Sequence, residues 1–182
     1  MQSIAVYCGS SIGNSDVYKA GTVELGKEMA KRDITLIYGG SSVGLMGVIA
    51  DTVLAEGGKV IGVIPTVLSD KEIAHQKLTQ LYTVHTMHER KAKMASLADA
   101  FIAMPGGAGT LEELFEIITW AQIGIHSKPI GLLNVNNYYA PLSKLLDHMV
   151  TEGFLKEQFR PLSILEEQSS ILLDRLEQQL EV

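Results

Sequence analysis

Cysteine is almost absent from the 182-residue chain, which carries only Cys8. An internal disulfide and a cysteine-rich metal centre are thereby excluded, and a reducing compartment is suited. Positive charge is also scarce: 15 Lys and Arg stand against 21 Asp and Glu, a net charge of −6. Binding to a phosphate backbone needs clustered cations, so nucleic acid is not expected as a partner and any phosphate contact must be local. No apolar run reaches the roughly 18 residues a membrane span requires. No Lys/Arg-led apolar segment opens the chain either, so a soluble, cytoplasmic protein without a membrane partner is expected. The five histidines, at positions 75, 85, 88, 126 and 148, lack a Glu-x-x-His or paired-ligand context. Each is expected to be structural or solvated, and no metal is expected.

What is present is apolar material, 46% of the residues. It appears in short runs without internal repeats, linkers or low-complexity tracts, which predicts one domain over 1–182 with a full core. Ser3 to Cys8, Ile34 to Tyr38, Val60 to Ile64, Ala100 to Met104 and Ile130 to Asn134 are strand-like, with shorter candidates at Leu81 to His85 and Ser163 to Leu165. Helical patterns separate them, over about 16–31, 43–56, 86–98, 111–121, 138–151 and 168–180. Strands alternating with helices at this spacing predict an α/β fold, a doubly wound open parallel sheet with helices on both faces. Residues 66–79 lack this rhythm and are expected to cross the sheet edge or cover a site.

The most informative stretch is Met104-Pro-Gly-Gly-Ala-Gly-Thr-Leu-Glu-Glu113. Glycines at 106, 107 and 109 bare the backbone amides where a helix N-terminus carries partial positive charge, so an anion, most often a phosphate, fits there. No Lys-Ser/Thr pair follows, as in a P-loop, and the spacing is not Gly-x-Gly-x-x-Gly. The stretch is read as a monophosphate cradle. Glu113 has two readings. Thr110-x-x-Glu113 fits a capping box, but helical geometry also puts Glu113 at the edge of the apolar arc, where it would face a pocket, while Glu112 and Glu116 lie opposite that arc.

Upstream, Thr86 and Glu89 fit another capping box. Met87, Arg90, Met94 and Leu97 share one stripe of the helix that follows, which places Arg90 among residues facing the protein. A guanidinium there needs an anion, either a structural carboxylate or a ligand. Lys91 and Lys93 are expected to be solvated. Gly39, Gly40, Gly44 and Gly47 serve either close packing or a ligand. Cys8, at the end of a buried strand, is expected to be inert.

The signature Pro105-Gly-Gly-Ala-Gly-Thr-Leu-Glu-Glu113, with Met87-His-Glu-Arg90-Lys91 before it, resembles the LOG (Lonely Guy) family of phosphoribohydrolases. The resemblance extends through Tyr38-Gly-Gly-Ser-Ser-Val-Gly-Leu-Met-Gly47, Gly62-Val-Ile-Pro65 and Thr119 to Asn134, and covers about Ile4 to Phe154. It implies a Rossmann-like homodimer that hydrolyses the N-glycosidic bond of a purine nucleoside 5′-monophosphate, with either an N6-prenylated adenine or plain AMP as substrate. By matched position it implies Arg90 and Glu113 as the catalytic pair. Gly106, Gly107, Ala108, Gly109 and Thr110 would hold the phosphate, with Met87, Lys91, Glu72 and Thr119 also at the substrate. Arg90 would keep Glu113 ionised, bind phosphate, or both. The scheme needs no cofactor. A non-catalytic nucleotide sensor or carrier is the alternative reading of the same cradle.

Overall fold

The computed structural model describes residues 1–69 and 73–180. One sheet holds β1 (Ser3–Tyr7), β2 (Thr35–Tyr38), β3 (Val60–Pro65), β4 (Gln80–Val84), β5 (Ala100–Ala103), β6 (Ile130–Leu133) and β7 (Ser163–Glu166). Their order is β4-β3-β2-β1-β5-β6-β7, and every neighbouring pair is parallel. The helices are α1 (Asp16–Lys31), α2 (Gly44–Ala55), the single turn α3 (Thr66–Ser69), α4 (Met87–Leu97), α5 (Ala108–Gln122), α6 (Ala140–Thr151) and α7 (Ser169–Leu180). The expected doubly wound α/β architecture is therefore the one observed.

Strand side chains alternate between faces, and here both faces are covered. Ile4 and Val6 of β1 join a cluster with Leu25, Met29, Ile49, Val53 and Leu172 from α1, α2 and α7. Ala5 and Tyr7 point the other way, into a cluster with Met94, Leu114, Ile117 and Tyr139. This double burial explains why β1 is an unbroken apolar run in the sequence. Each fully buried Ile or Leu contributes about 1.5–3 kcal/mol, so the central strands form a firm platform for the loops at their ends.

From β1 the chain winds outward to β4, then crosses back to β5 on the other side of β1. The loops after β1 and β5 therefore diverge at the carboxyl edge and open a crevice, the usual ligand position in such sheets. Backbone bonds hold the crevice walls together: the Gly9 amide donates to the Pro105 carbonyl at 3.1 Å, and the Leu45 amide donates to the Gly9 carbonyl at 3.0 Å.

Local structure departs from the sequence expectations at the starts of α5 and α6, while the irregular 66–79 segment reaches the sheet edge as expected. The 66–79 segment opens with α3, and its residues 73–75 then cross the carboxyl edge beside β2, where Ser42 donates to the Ile73 carbonyl at 2.8 Å and His75 to that of Gly40 at 2.9 Å. α5 starts at Ala108 with Gly107 as N-cap, three residues earlier than the apolar pattern suggested. Thr110 is thus inside the first turn and cannot be the N-cap of a box with Glu113. α6 starts at Ala140 because Asn136 and Asn137 take left-handed backbone, with φ of 54° and 57°, leaving Tyr138 and Tyr139 ahead of the helix. The other box is real: the Thr86 hydroxyl accepts from the Glu89 amide at 3.1 Å. Its glutamate reaches one residue further than expected, accepting from the amide of His85 at 2.8 Å.

Candidate active site

A cavity of about 290 Å³ lies in the crevice, walled by the start of α5, by Met87 and Arg90 of α4, and by Cys8, Ser10 and Met46. Gly107, Ala108 and Gly109 line one end. The first amides of a helix have no intrahelical acceptors, and no side chain caps this end of α5. A Cβ built on Gly107 or Gly109 would meet nothing within 4 Å, and neither residue has positive φ. They are the two glycines among 17 that neither the fold's packing nor its backbone conformation requires. Gly106 is different, since a Cβ there would come within 2.1 Å of the Thr110 hydroxyl, which tucks beneath the loop.

At the other end, buried Arg90 faces buried Glu113. The guanidinium Nη1 donates to Glu113 Oε1 at 3.2 Å, and Nε donates to the Val63 carbonyl at 3.1 Å. Two of the five guanidinium hydrogens are thus committed, and the other three meet no acceptor among the described residues. Gly39 makes room for this group, because a Cβ on it would lie 1.7 Å from the guanidinium Nη2. Burial raises the Glu113 carboxyl to about 7, while the nearby Arg90 charge pulls it down and Glu112 adds to the rise. A carboxyl held there exchanges its proton readily near neutral pH, as an acid–base group should.

Lys91 is not solvated as expected. Its ammonium is buried between Glu112 and Glu116 of α5, bonded to Glu112 and at 3.1 Å from Glu116, and the Glu112 bond heads the influences that raise its pKa. It braces α4 against α5 beside the cavity without lining it. Lys93 rests over the Tyr82 ring at 4.4 Å. Thr119 is not brought to the site; it is exposed and its hydroxyl donates to the Phe115 carbonyl at 2.7 Å. Glu72 lies outside the described residues.

Cys8, Ser10 and Met46 reach the cavity wall without having been expected there. Their signal was positional, since Cys8 and Ser10 follow β1 at the switch point and Met46 lies in the first turn of α2. Burial pushes the Cys8 thiol far up, which agrees with an inert role. His75 and His126 are structural: His75 bridges Asp51 and the Lys77 amide, and His126 bridges the Ile117 carbonyl and the Lys128 amide.

A doubly wound sheet that carries, at its switch point, bare helix amides and a buried acid–guanidinium pair around one cavity defines a Rossmann-like protein with a cavity chemically suited to an anionic ligand. Residues 46–176 match the family model described as "Possible lysine decarboxylase". A cytokinin riboside 5′-monophosphate phosphoribohydrolase of Arabidopsis thaliana is 50% identical over 174 residues, covering 96% of this chain and 82% of that protein. One of Oryza sativa subsp. japonica is 50% identical over 175 residues, 96% of this chain and 72% of the relative. The chain belongs to this family, the LOG family of phosphoribohydrolases, hydrolases that act on N-glycosyl bonds.

Among solved structures, the molybdenum cofactor carrier protein of Chlamydomonas reinhardtii aligns with a TM-score of 0.73 at 18% identity, over 100% of this chain and 99% of its own. The molybdenum cofactor binding protein of Rippkaea orientalis aligns with 0.73 at 19%, over 97% and 96%. At such identities only the fold is shared. The decarboxylase description does not suit the geometry around Lys91: a lysine that forms a Schiff base works with a lowered pKa, whereas two carboxylates raise this one.

Proposed function

We propose that the chain hydrolyses the N-glycosidic bond of purine nucleoside 5′-monophosphates, either N6-modified adenine nucleotides of the cytokinin type or AMP, releasing the base and ribose 5-phosphate. The observation that carries this reading is the shared cavity, with the bare amides of Gly107, Ala108 and Gly109 at one end and the Arg90–Glu113 pair at the other. A phosphate on the amides would anchor the nucleotide, and that remote binding energy would fix the ribose for attack. The C1′–N bond breaks with its electron pair leaving on the base. Ionised Glu113 stabilises the oxocarbenium-like sugar and takes a proton from the water whose oxygen bonds to C1′. The departing base nitrogen takes up a proton from solvent, to which Glu113 then returns its own. Arg90 keeps a usable fraction of Glu113 ionised in spite of burial, and its uncommitted N–H groups face the ligand.

The protein would act in the cytoplasm as a homodimer. Support for the dimer comes from uncovered apolar side chains: Ile123 and Ile125 beyond α5 are 66% and 61% exposed, and Met87 at the cavity rim is 42% exposed. Among the described residues no helix is long and apolar enough to cross a membrane. Sedimentation at about twice 19.8 kDa is expected, and a dilute monomer would remove the dimer from the proposal.

Incubation with AMP and with isopentenyladenosine monophosphate, followed by chromatography for free base, tests the activity and ranks the two substrates. Binding of either nucleotide without base release would instead support the carrier or sensor reading. Glu113→Gln should abolish turnover while nucleotide affinity stays within about tenfold, roughly 1.4 kcal/mol.

A further inference from the structure

The turn between β6 and α6 touches the cradle from behind without lining the cavity. Tyr138 donates its hydroxyl hydrogen to the carbonyl of Gly106, and Tyr139 donates to that of Met104 at 2.6 Å. Considerable structure is spent on holding these two rings. Asn136 and Asn137 both adopt left-handed backbone, a conformation that L side chains take uncommonly and that persists where its surroundings hold it. Asn134, buried, does the enforcing: its Oδ1 accepts from the Tyr139 amide at 2.8 Å and its Nδ2 donates to Asn137 Oδ1 at 3.3 Å. Tyr18 of α1 packs edge-on against the Tyr138 ring, with centroids 6.0 Å apart.

The bonded carbonyl has a geometric consequence. The peptide between Gly106 and Gly107 is trans, since no peptide among the described residues is cis, so its C=O and N–H point in opposite directions. Holding the Gly106 oxygen on the Tyr138 side therefore aims the Gly107 amide away from it, toward the cavity that Gly107 lines. The flanking peptides are held by the Gly9–Pro105 and Leu111–Gly107 bonds, but neither of these bonds engages the 106–107 peptide itself. Gly107 has no side chain, a Cβ there would touch nothing, and no side chain caps the helix. Left alone, a Gly-Gly peptide rotates freely, and an amide that must be oriented on binding costs affinity.

We infer that Tyr138 is a positioning residue that pre-orients the Gly107 amide for a phosphomonoester through its hydrogen bond to the Gly106 carbonyl, and that the strained Asn136–Asn137 turn exists to deliver it. The inference rests on the reading of the cradle as the phosphate site. Tyr138 is 39% exposed, so Tyr138→Phe keeps the ring packing and should fold. Its expected effects fall on phosphate recognition alone. Ribose 5-phosphate binding, measured by calorimetry, should weaken five- to twentyfold, and KM for AMP should rise by a similar factor with kcat changed less than threefold. The pH midpoint of kcat, set by Glu113, should not move. Asn136→Gly, which relieves the backbone strain but keeps the hydroxyl, should bind ribose 5-phosphate as the parent does. If the parent protein binds ribose 5-phosphate and Tyr138→Phe binds it equally well, the positioning role is wrong. If the parent does not bind ribose 5-phosphate at all, the cradle reading itself falls, and the inference with it.

Discussion

Two glycine-rich loops meet at the crevice, one after β2 and one after β5, and they look alike in the sequence. Their glycines serve opposite ends. After β2 each is fitted to protein atoms: a Cβ on Gly39 would strike the Arg90 guanidinium, one on Gly44 would lie 2.2 Å from the Ser10 carbonyl carbon, and one on Gly47 2.1 Å from the Ser42 carbonyl oxygen. After β5, Gly107 and Gly109 border open space. The first loop uses glycine to bring backbone and side chain together, whereas in the second only Gly106 is packed in this way and Gly107 and Gly109 leave space open at the cavity. Glycine content alone is therefore a poor guide to a ligand site; open space beside a glycine whose φ is not positive is what sets Gly107 and Gly109 apart from Gly57, Gly124 and Gly153, where the space is open but φ is near +78°.

Substitution by alanine should separate the loops sharply. The largest effect is expected at Gly44, where φ is +62° and backbone blocks the new methyl. Gly44→Ala should lower the melting temperature by more than 5 °C or leave the protein insoluble; an unchanged melting curve would deny the close packing. Gly39→Ala should follow, displacing the guanidinium and reducing base release at least a hundredfold together with a loss of stability. Gly109→Ala should do the reverse. It lies in the first turn of α5, where alanine is favoured by up to about 1 kcal/mol, so stability should hold or rise while KM for nucleotide climbs about tenfold or more. A destabilised but fully active Gly109→Ala would erase the contrast between the loops.

The smallest effects concern proton equilibria at the far end of the cavity. Because ionised Glu113 is the working form and burial lifts its carboxyl to about 7, kcat/KM should fall as pH drops below about 7. A profile flat down to pH 5 would remove Glu113 from that role. Stability carries the opposite sign. A glutamate raised above its unfolded value of about 4.3 binds its proton more tightly when folded, so its contribution is full below pH 4 and is lost as pH rises to about 7. Denaturation of the parent and of Glu113→Gln between pH 5 and 8 should show the parent losing ground to the variant as pH increases.

How much of this was visible in the chain depends on whether the cause is local. Alternating strands and helices and the switch point follow from short-range patterning, and the strand and helix spans match closely. Arg90 was legible as a charge on an inward stripe, and Glu113 as an acid at the edge of an apolar arc. The Thr110 capping box was not realised because the bare glycine loop lets α5 begin earlier, which the apolar pattern of 111–121 does not reveal. Lys91 was misjudged because its partners, Glu112 and Glu116, lie more than 20 residues away and meet it only when α4 packs beside α5. Tyr138 is 32 residues from the carbonyl it holds, and no local spacing rule relates the two. Thr119 came from the family resemblance alone, and within one chain it stands apart from the cavity.

The backbone bonds from Leu45 to Gly9 and from Gly9 to Pro105 draw together segments from the first, second and fifth strands. No contiguous fragment shorter than about the first 110 residues contains all three walls, and long-range pairing of this kind is slow to form. During refolding from urea, recovery of helical circular dichroism should run ahead of recovered hydrolysis, with the enzyme silent until β5 has docked beside β1.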